Sequence, residues 1–265
     1  MATRATLLDV GGTFIKCSDG REIPINSAGT REEIVSSLRL AAGDADAVAV
    51  AIPGPFDYAS GTFLMKHKFA AVYGERFQDL CYPAGGVKPV FRYMHDVNAM
   101  LAGEMAAGAG KGFARVALVT LGTGLGFSMS IDGQILENNL GSPAVSLYNL
   151  PYRDGILEDY ASKRGFLRGY EGITVKELAA MALSGDAAAI ARFREVGSIL
   201  AEAIAPVLSE YDVECLLLGG QISRSFSLFG PSLEAGLNGK VAGLRHIGPV
   251  SDIDNATFNG LMTLL

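Results

Sequence analysis

The sequence predicts an α/β protein of two similar lobes. Short apolar segments suited to strands alternate with longer segments of helical period. One pattern occurs twice, at residues 7–25 and 115–137: apolar strand, glycine turn, second strand, Asp-Gly hairpin, third strand. Between the two copies, Gly108-Ala-Gly-Lys-Gly112 reads as a joint. A shift of 113 residues (124 − 11) sets Gly11 on Gly124, Phe14 on Phe127 and Asp19-Gly20 on Asp132-Gly133. It sets Asp9 on Gly122, so the carboxylate of the first copy is not repeated.

Taken in order, LLDVGGTFIK is a strand that reaches Asp9, turns at Gly11-Gly12-Thr13 and returns. Thr30 and Glu33 make a capping-box pair for a helix ending near Ala42-Gly43. Residues 46–52 form a buried strand closed by Pro53-Gly54-Pro55, and a polar and aromatic loop with Lys66, His67 and Lys68 follows. A strand from Val87 to Tyr93 ends at His95-Asp96-Val97-Asn98 and hands over to an alanine-rich helix. Beyond the second glycine pattern, a short helix is expected from Ile156 to Ser162. Thr174 with Glu177, and then Asp186, start two more helices. Pro206 should kink or end the second of these. A buried strand runs from Val213 to Leu218 into Gly219-Gly220, Ser232–Leu237 reads as helix, and the tail from Asp254 to Leu265 reads as an amphipathic helix.

Composition narrows the function classes. Of 265 residues, 49% are hydrophobic and 19% charged, enough for a sizeable core. The net charge is −6 with no Lys/Arg cluster, which argues against nucleic acid as a partner. No apolar run reaches the roughly 18–20 residues of a membrane helix. The opening MATRATLLDV enters a strand at once, so no signal peptide is expected. Three widely spaced cysteines, Cys17, Cys81 and Cys215, suggest a reducing compartment such as the cytoplasm.

The glycine turns carry the first chemical signal. Glycine lets backbone N–H groups approach an anion closely, and concave turns of this kind hold phosphate. A strand, not a helix, follows Gly11-Gly12, which sets the turn apart from a dinucleotide loop, and the Walker lysine pattern is absent. A tight hairpin with no ligand would also read this way. If the turns face a nucleotide, their amides and the Thr13 and Thr123 hydroxyls hold its phosphates. Asp9 then holds Mg2+ through water, and Lys16 offsets phosphate charge unless it is simply an exposed strand lysine. Asp96 has two readings. An aspartate where a strand meets a helix commonly caps the helix, worth about 1 kcal/mol. It could also be a general base that takes a hydroxyl proton during attack on a γ-phosphate. Asn98 suits a polyol, and Gly219-Gly220 would let a base or ribose lie against the backbone.

Together these residues resemble the ROK family of sugar kinases and sugar-responsive repressors, within the actin-like, ribonuclease H-like ATPase fold. LLDVGGTFIK resembles the first phosphate motif, AIPGPFDYASG the Pro-Gly-Pro loop that reaches the sugar through Gly54, and HDVNAMLAGE the stretch with the catalytic aspartate, here Asp96. VTLGTGLGFS, with Gly122, Thr123 and Gly124, resembles the second phosphate motif. GILEDYASKRG resembles the segment with a sugar-binding glutamate, here Glu158, and LLLGGQISRS the adenosine motif. Six motifs in order cover nearly the whole chain. The resemblance implies two lobes with a cleft between them: residues 1–110 completed by 254–265, and residues 111–253. It also implies ATP and Mg2+ as cofactors, a hexose or hexose derivative as substrate, and favours a homodimer.

The departures concern the sugar side. Family members commonly carry Gly-Glu-x-Gly-His after the second phosphate motif, whereas this chain reads ENNLGSPAVSLYNLPY. No cysteine lies between Cys81 and Cys215, so the family's zinc motif is missing and no zinc is expected. His95 stands where asparagine is common, either contacting substrate or as a satisfied, partly buried histidine. The expectation is an ATP-dependent sugar kinase with Asp96 as base. Its rival is a sugar or nucleotide sensor of the same fold that has lost catalysis.

Overall fold

The computed structural model describes residues 4–82 and 89–265. The chain divides into two compact units: Met1–Ala106 with Glu137–Ala144 and Asn255–Leu265, and Ala107–Leu136 with Val145–Asp254.

In the first unit, β1 (Ala5–Val10), β2 (Phe14–Cys17) and β3 (Glu22–Pro24) form the opening meander. Then come α1 (Arg31–Ala42), β4 (Ala47–Ile52), a small hairpin of β5 (Phe56–Asp57) and β6 (Thr62–Phe63), and α2 (Phe77–Cys81). β7 (Val90–His95) leads directly into α3 (Asp96–Ala107). The expected start of that strand, Val87, lies outside the described residues. The sheet order is β3-β2-β1-β4-β7, with β1, β4 and β7 parallel. Leu8, Val10, Ile15, Cys17, Val48 and Val50 pack on one face. Leu7, Ala49 and Ala51 face Ala99 of α3 and Leu261 on the other. This two-sided burial explains why β4 reads as an unbroken apolar run.

The second unit repeats the plan. Its strands β8 (Arg115–Leu121), β9 (Leu125–Ile131) and β10 (Gln134–Ile135) make the meander. A hairpin of β11 (Pro151–Tyr152) and β12 (Gly155–Ile156) precedes α4 (Leu157–Ala161) and α5 (Lys163–Phe166). α6 (Val175–Leu183), α7 (Ala187–Glu210), β13 (Cys215–Gly219), α8 (Phe226–Leu237) and β14 (His246–Pro249) follow. The order is β10-β9-β8-β13-β14, again with the last three parallel. The chain then returns to the first unit as α9 (Ala256–Met262).

The caps form as read. Thr30 with Glu33 and Thr174 with Glu177 close capping boxes, and Asp186 accepts from the Ala189 N–H at 2.8 Å. Pro206 does not break its helix: α7 runs unbroken through it, because the proline lies on the exposed face, where water can meet the freed Glu202 carbonyl. The uniform shift of 113 is also corrected. Val10 pairs with Ile15 across the first turn and Leu121 with Leu125 across the second, so Asp9 corresponds to Thr120 rather than Gly122. The second hairpin reaches its Asp-Gly turn at a different spacing because β9 is longer than β2. Finally, residues 137–144, expected with the second lobe, pack with the first unit. There the Tyr58 N–H donates to the Leu140 carbonyl at 3.0 Å and Asn98 holds Glu137.

Candidate active site

Within the first unit, the carboxyl ends of β1, β4 and β7 gather the acidic residues. This is where ligands lie in open parallel sheets. Asp9 is the next-to-last residue of β1 and pairs with Lys16 across β2. Alternation turns it to the α3 side of the sheet, away from Leu8 and Val10. Burial, and then the charge of Asp96, push its carboxyl up to about 6, against the opposing pull of Lys16. Lys16 therefore answers Asp9 in the free protein. A hydrated magnesium ion fits this incompletely balanced carboxylate. Among the described residues no cluster of three or more His, Cys, Asp or Glu could hold a metal ion. Mg2+ held through water needs only one or two carboxylates and the substrate's phosphates.

Asp96 opens α3. Its Oδ1 accepts the Val97 N–H at 2.8 Å and lies 2.9 Å from His95 Nδ1. Among the described residues its Oδ2 takes no hydrogen bond. Burial alone would raise its pKa. The charge and hydrogen bond of His95, the Val97 N–H and the charge of Lys68 outweigh burial and hold the carboxyl below the usual range. His95 thus engages Asp96 through Nδ1. Gly54 lies beside this pair: a Cβ there would come 3.1 Å from Ser142 Oγ, 3.6 Å from His95 Cδ2 and 3.6 Å from the Tyr58 hydroxyl.

Asn98 sits behind this surface. It is fully buried, and its Nδ2 donates to Glu137 Oε1 at 2.9 Å and to the Gly141 carbonyl at 3.3 Å. The carboxylate of Glu137 is exposed. Burial pushes its pKa up, against the Asn98 hydrogen bond and the charge of His95.

The first turn closes by a Gly11 N–H bond to the Phe14 carbonyl at 3.0 Å. Gly11 has little spare room, since a Cβ there would meet that carbonyl at 3.0 Å. Among the described residues the N–H groups of Gly12 and Thr13 have no acceptor, which leaves two donors for an anion.

In the second unit, Gly122 N–H donates to the Gly124 carbonyl at 3.0 Å, and the amides of Thr123 and Gly124 have no acceptor among the described residues. Glu158 supports this turn: Oε2 accepts the Leu125 N–H at 2.9 Å, and Oε1 lies 2.5 Å from Arg164 Nη2. A side chain at Gly124 would collide with Glu158, its Cβ only 2.7 Å from Oε2. Thr123, Glu158, Lys163, Arg164 and Leu167 line a cavity of about 550 Å³. Gly219 ends β13. Gly220, at φ 78°, lies against the Leu121 backbone with no room for a Cβ, so it brings that strand end to the base of the second turn.

Residues 28–144 match the ROK family. The chain carries a ROK-family domain. It is 29% identical to the glucokinase of Thermotoga maritima over 271 residues, covering 88% of this chain and 78% of that protein. It spans about half the length of other curated glucokinases that it matches. Among solved structures, a ROK family glucokinase from Streptomyces griseus in complex with glucose and AMPPNP superposes with a TM-score of 0.79 at 23% identity, covering 98% of both chains. A ROK family transcriptional regulator superposes with a TM-score of 0.73 at 18% identity, covering 98% of this chain and 80% of the regulator. The fold is the actin-like ATPase fold.

Measured against the ROK motifs, the first unit brings together Asp9, Gly11, Gly12, Thr13, Lys16, Gly54, His95, Asp96 and Asn98. The second brings together Gly122, Thr123, Gly124, Glu158, Gly219 and Gly220. Further residues at the site come from the stretches 66–73 and 137–152. The structure names Lys68, Glu137 and Ser142, together with Tyr58 from the Pro-Gly-Pro loop. Their sequence signal is polar character alone: Lys68 in the loop of residues 66–68, Glu137 and Ser142 where the chain departs from Gly-Glu-x-Gly-His, and Tyr58 inside the Pro-Gly-Pro motif.

Proposed function

We propose that this chain is an ATP-dependent kinase of a sugar or sugar derivative, with Asp96 as general base. The observation that carries the reading is the state of Asp96. One oxygen is held by His95 and Val97, the other takes no hydrogen bond among the described residues, and the charge of Asp96 reaches Asp9 at the carboxyl ends of the parallel strands. An acceptor hydroxyl meeting Oδ2 would lose its proton to that oxygen as its oxygen bonds to the γ-phosphorus. A carboxylate of low basicity suffices, because the proton leaves only as the bond forms.

In the first unit the amides of Gly12 and Thr13 and the Thr13 hydroxyl are donors for phosphate, and in the second unit the amides of Thr123 and Gly124 and the Thr123 hydroxyl are a second such set. Gly219 and Gly220 offer backbone for the adenosine. Asp9 would hold Mg2+ through water, and the ion supplies neutralisation of phosphate charge. Gly54, Ser142 and Glu137 offer the surface for the acceptor, with Asn98 positioning Glu137 and the buried Tyr58, whose hydroxyl donates to the Ile52 carbonyl, standing behind Ser142. Glu158 retains lone pairs beyond those it spends on Leu125 and Arg164, so a sugar contact from it belongs to the same reading. The glucokinases among the relatives, including one solved with glucose and AMPPNP, support this assignment.

The changed Glu-x-Gly-His stretch favours one rival, a sensor that binds a sugar without turning it over. A coupled ADP-release assay over hexoses, amino sugars and N-acetyl sugars separates the two. The expected result is release with at least one acceptor. In Asp96→Asn, kcat for that acceptor should fall roughly 100- to 10,000-fold while nucleotide affinity holds. Saturable sugar binding without ADP release makes the chain a sensor, and a near-normal rate in Asp96→Asn removes the base assignment.

A further inference from the structure

Lys68 belongs to no motif that the proposed reaction uses, yet the fold stitches it to the first glycine turn. The Phe69 N–H donates to the Ser27 carbonyl at 2.6 Å, and the Ser27 N–H donates to the Gly12 carbonyl at 3.1 Å. Phe69 is fully buried, with its ring 5.5 Å from that of Phe63, and it takes the left-handed conformation at φ 52°. That backbone is costly for a bulky residue and persists only where the surroundings enforce it. The position of Lys68 is therefore set by the core beneath it and by the turn beside it.

The Lys68 side chain lies over the turn. A Cβ on Gly12 would meet its Cε at 3.8 Å and its Cδ at 3.9 Å, so the aliphatic stem covers the glycine. The neighbouring cations are placed differently. Lys66 sits over the Tyr73 ring at 5.3 Å, and Lys16 answers Asp9 across the strand pair. Among the described residues, Lys68 makes no ion pair within 4 Å. Its charge nonetheless reaches Asp96 and helps hold that carboxyl ionised. The Lys68 stem thus lies against a turn whose Gly12 and Thr13 amides have no acceptor among the described residues, and its charge, without an ion-pair partner among them, reaches the proposed base.

We propose that Lys68 is a further catalytic residue of the phosphoryl transfer proposed above, its ammonium contacting the oxygens of the phosphoryl group in flight. The inference rests on the kinase reading. In the step, the acceptor oxygen bonds to the γ-phosphorus as the bond to the bridging β,γ-oxygen breaks. The leaving electron pair stays on the ADP oxygen, and the acceptor proton passes to Asp96. Negative charge on the three equatorial oxygens must be met throughout, and a fixed cation at that place is a large source of rate in such transfers. A lysine supplies a compact point charge, and its long stem lets it lie across the glycine turn to reach the group.

The test compares wild type, Lys68→Met and Lys68→Arg, using an acceptor that the wild type phosphorylates. Methionine keeps an unbranched apolar stem over Gly12 and removes only the charge. We expect kcat to fall at least 100-fold in Lys68→Met, with sugar and nucleotide dissociation constants within threefold of wild type by calorimetry. Lys68→Arg should recover at least tenfold of the loss. A Lys68→Met enzyme within threefold of the wild-type kcat overturns the proposal, as does a loss found wholly in sugar affinity. Wild type that turns over no acceptor defeats the kinase reading itself, and the step with it. Titration of the Asp96 carboxyl carbon by NMR checks the placement without turnover. Its midpoint should rise in Lys68→Met and hold in Lys68→Arg, and an unmoved midpoint in Lys68→Met overturns the placement of the ammonium.

Discussion

Asp9 shows at the scale of one residue what a proposed ligand site costs an empty protein. Its carboxyl titrates near 6 instead of 3.8 because burial and Asp96 disfavour the charged form. A raised acid pKa means that the folded state prefers the protonated form. Relative stability is therefore greatest below pH 3.8, declines between 3.8 and 6, and carries the full penalty above 6. Asp9→Asn keeps the size and removes the charge. It should stabilise the ligand-free protein at pH 7.5 by up to about 3 kcal/mol, with the gain vanishing below pH 4. Urea titrations at the two pH values measure it, and an equal effect at both would mean that the carboxylate is not strained. The same variant should bind magnesium nucleotide more weakly, which would separate a residue kept for a ligand from one kept for the fold.

At the scale of elements, what was legible in the sequence depended on whether its cause was local. Thr30, Thr174 and Asp186 announced helix starts because a cap is a contact made within one turn. Gly11-Gly12 and Gly122-Thr123-Gly124 announced turns for the same reason. Pro206 does not end its helix, because the packing of α7 outweighs the loss of one exposed hydrogen bond. Pro231 likewise hid the start of α8, six residues before the expected Ser232. Glu137 and Lys68 were not legible as individual residues, since each acquires its place through contacts 39 and 56 residues away in the chain, with Asn98 and Gly12. The final helix carries a testable consequence of close packing. α9 lies so near α3 that Gly260 has no room for a Cβ against the Ala99 carbonyl, and Gly103 none against Ala256. Gly260→Ala must push the two helices apart and should cost about 2 kcal/mol, read as a lower urea midpoint at unchanged slope. No loss would mean that α9 docks more loosely than the glycines imply.

At the scale of the molecule, one strand order serves twice, and each unit has its own core. The chain nevertheless passes between the units four times, at 106/107, 136/137, 144/145 and 254/255. Separate cores favour separate melting, whereas repeated crossings oppose it, since either unit unfolding loosens the ends of the other. Because the last crossing delivers α9 to the first unit, Gly260→Ala identifies which component of a heating scan belongs to that unit. We expect calorimetry of the ligand-free protein to show a transition whose van't Hoff enthalpy is smaller than its calorimetric enthalpy, with Gly260→Ala lowering one component. A non-hydrolysable ATP analogue with magnesium then tests the proposed use of both glycine turns. At a hundredfold excess over its dissociation constant, ligand adds about 2.7 kcal/mol to whatever it binds. If each turn holds phosphate, each unit gains contacts to ligand, and both components should rise. A rise confined to the component that Gly260→Ala lowers would assign the phosphates to the first turn alone. That outcome would leave Thr123 and Gly124 as parts of a hairpin braced by Glu158, with no phosphate to hold.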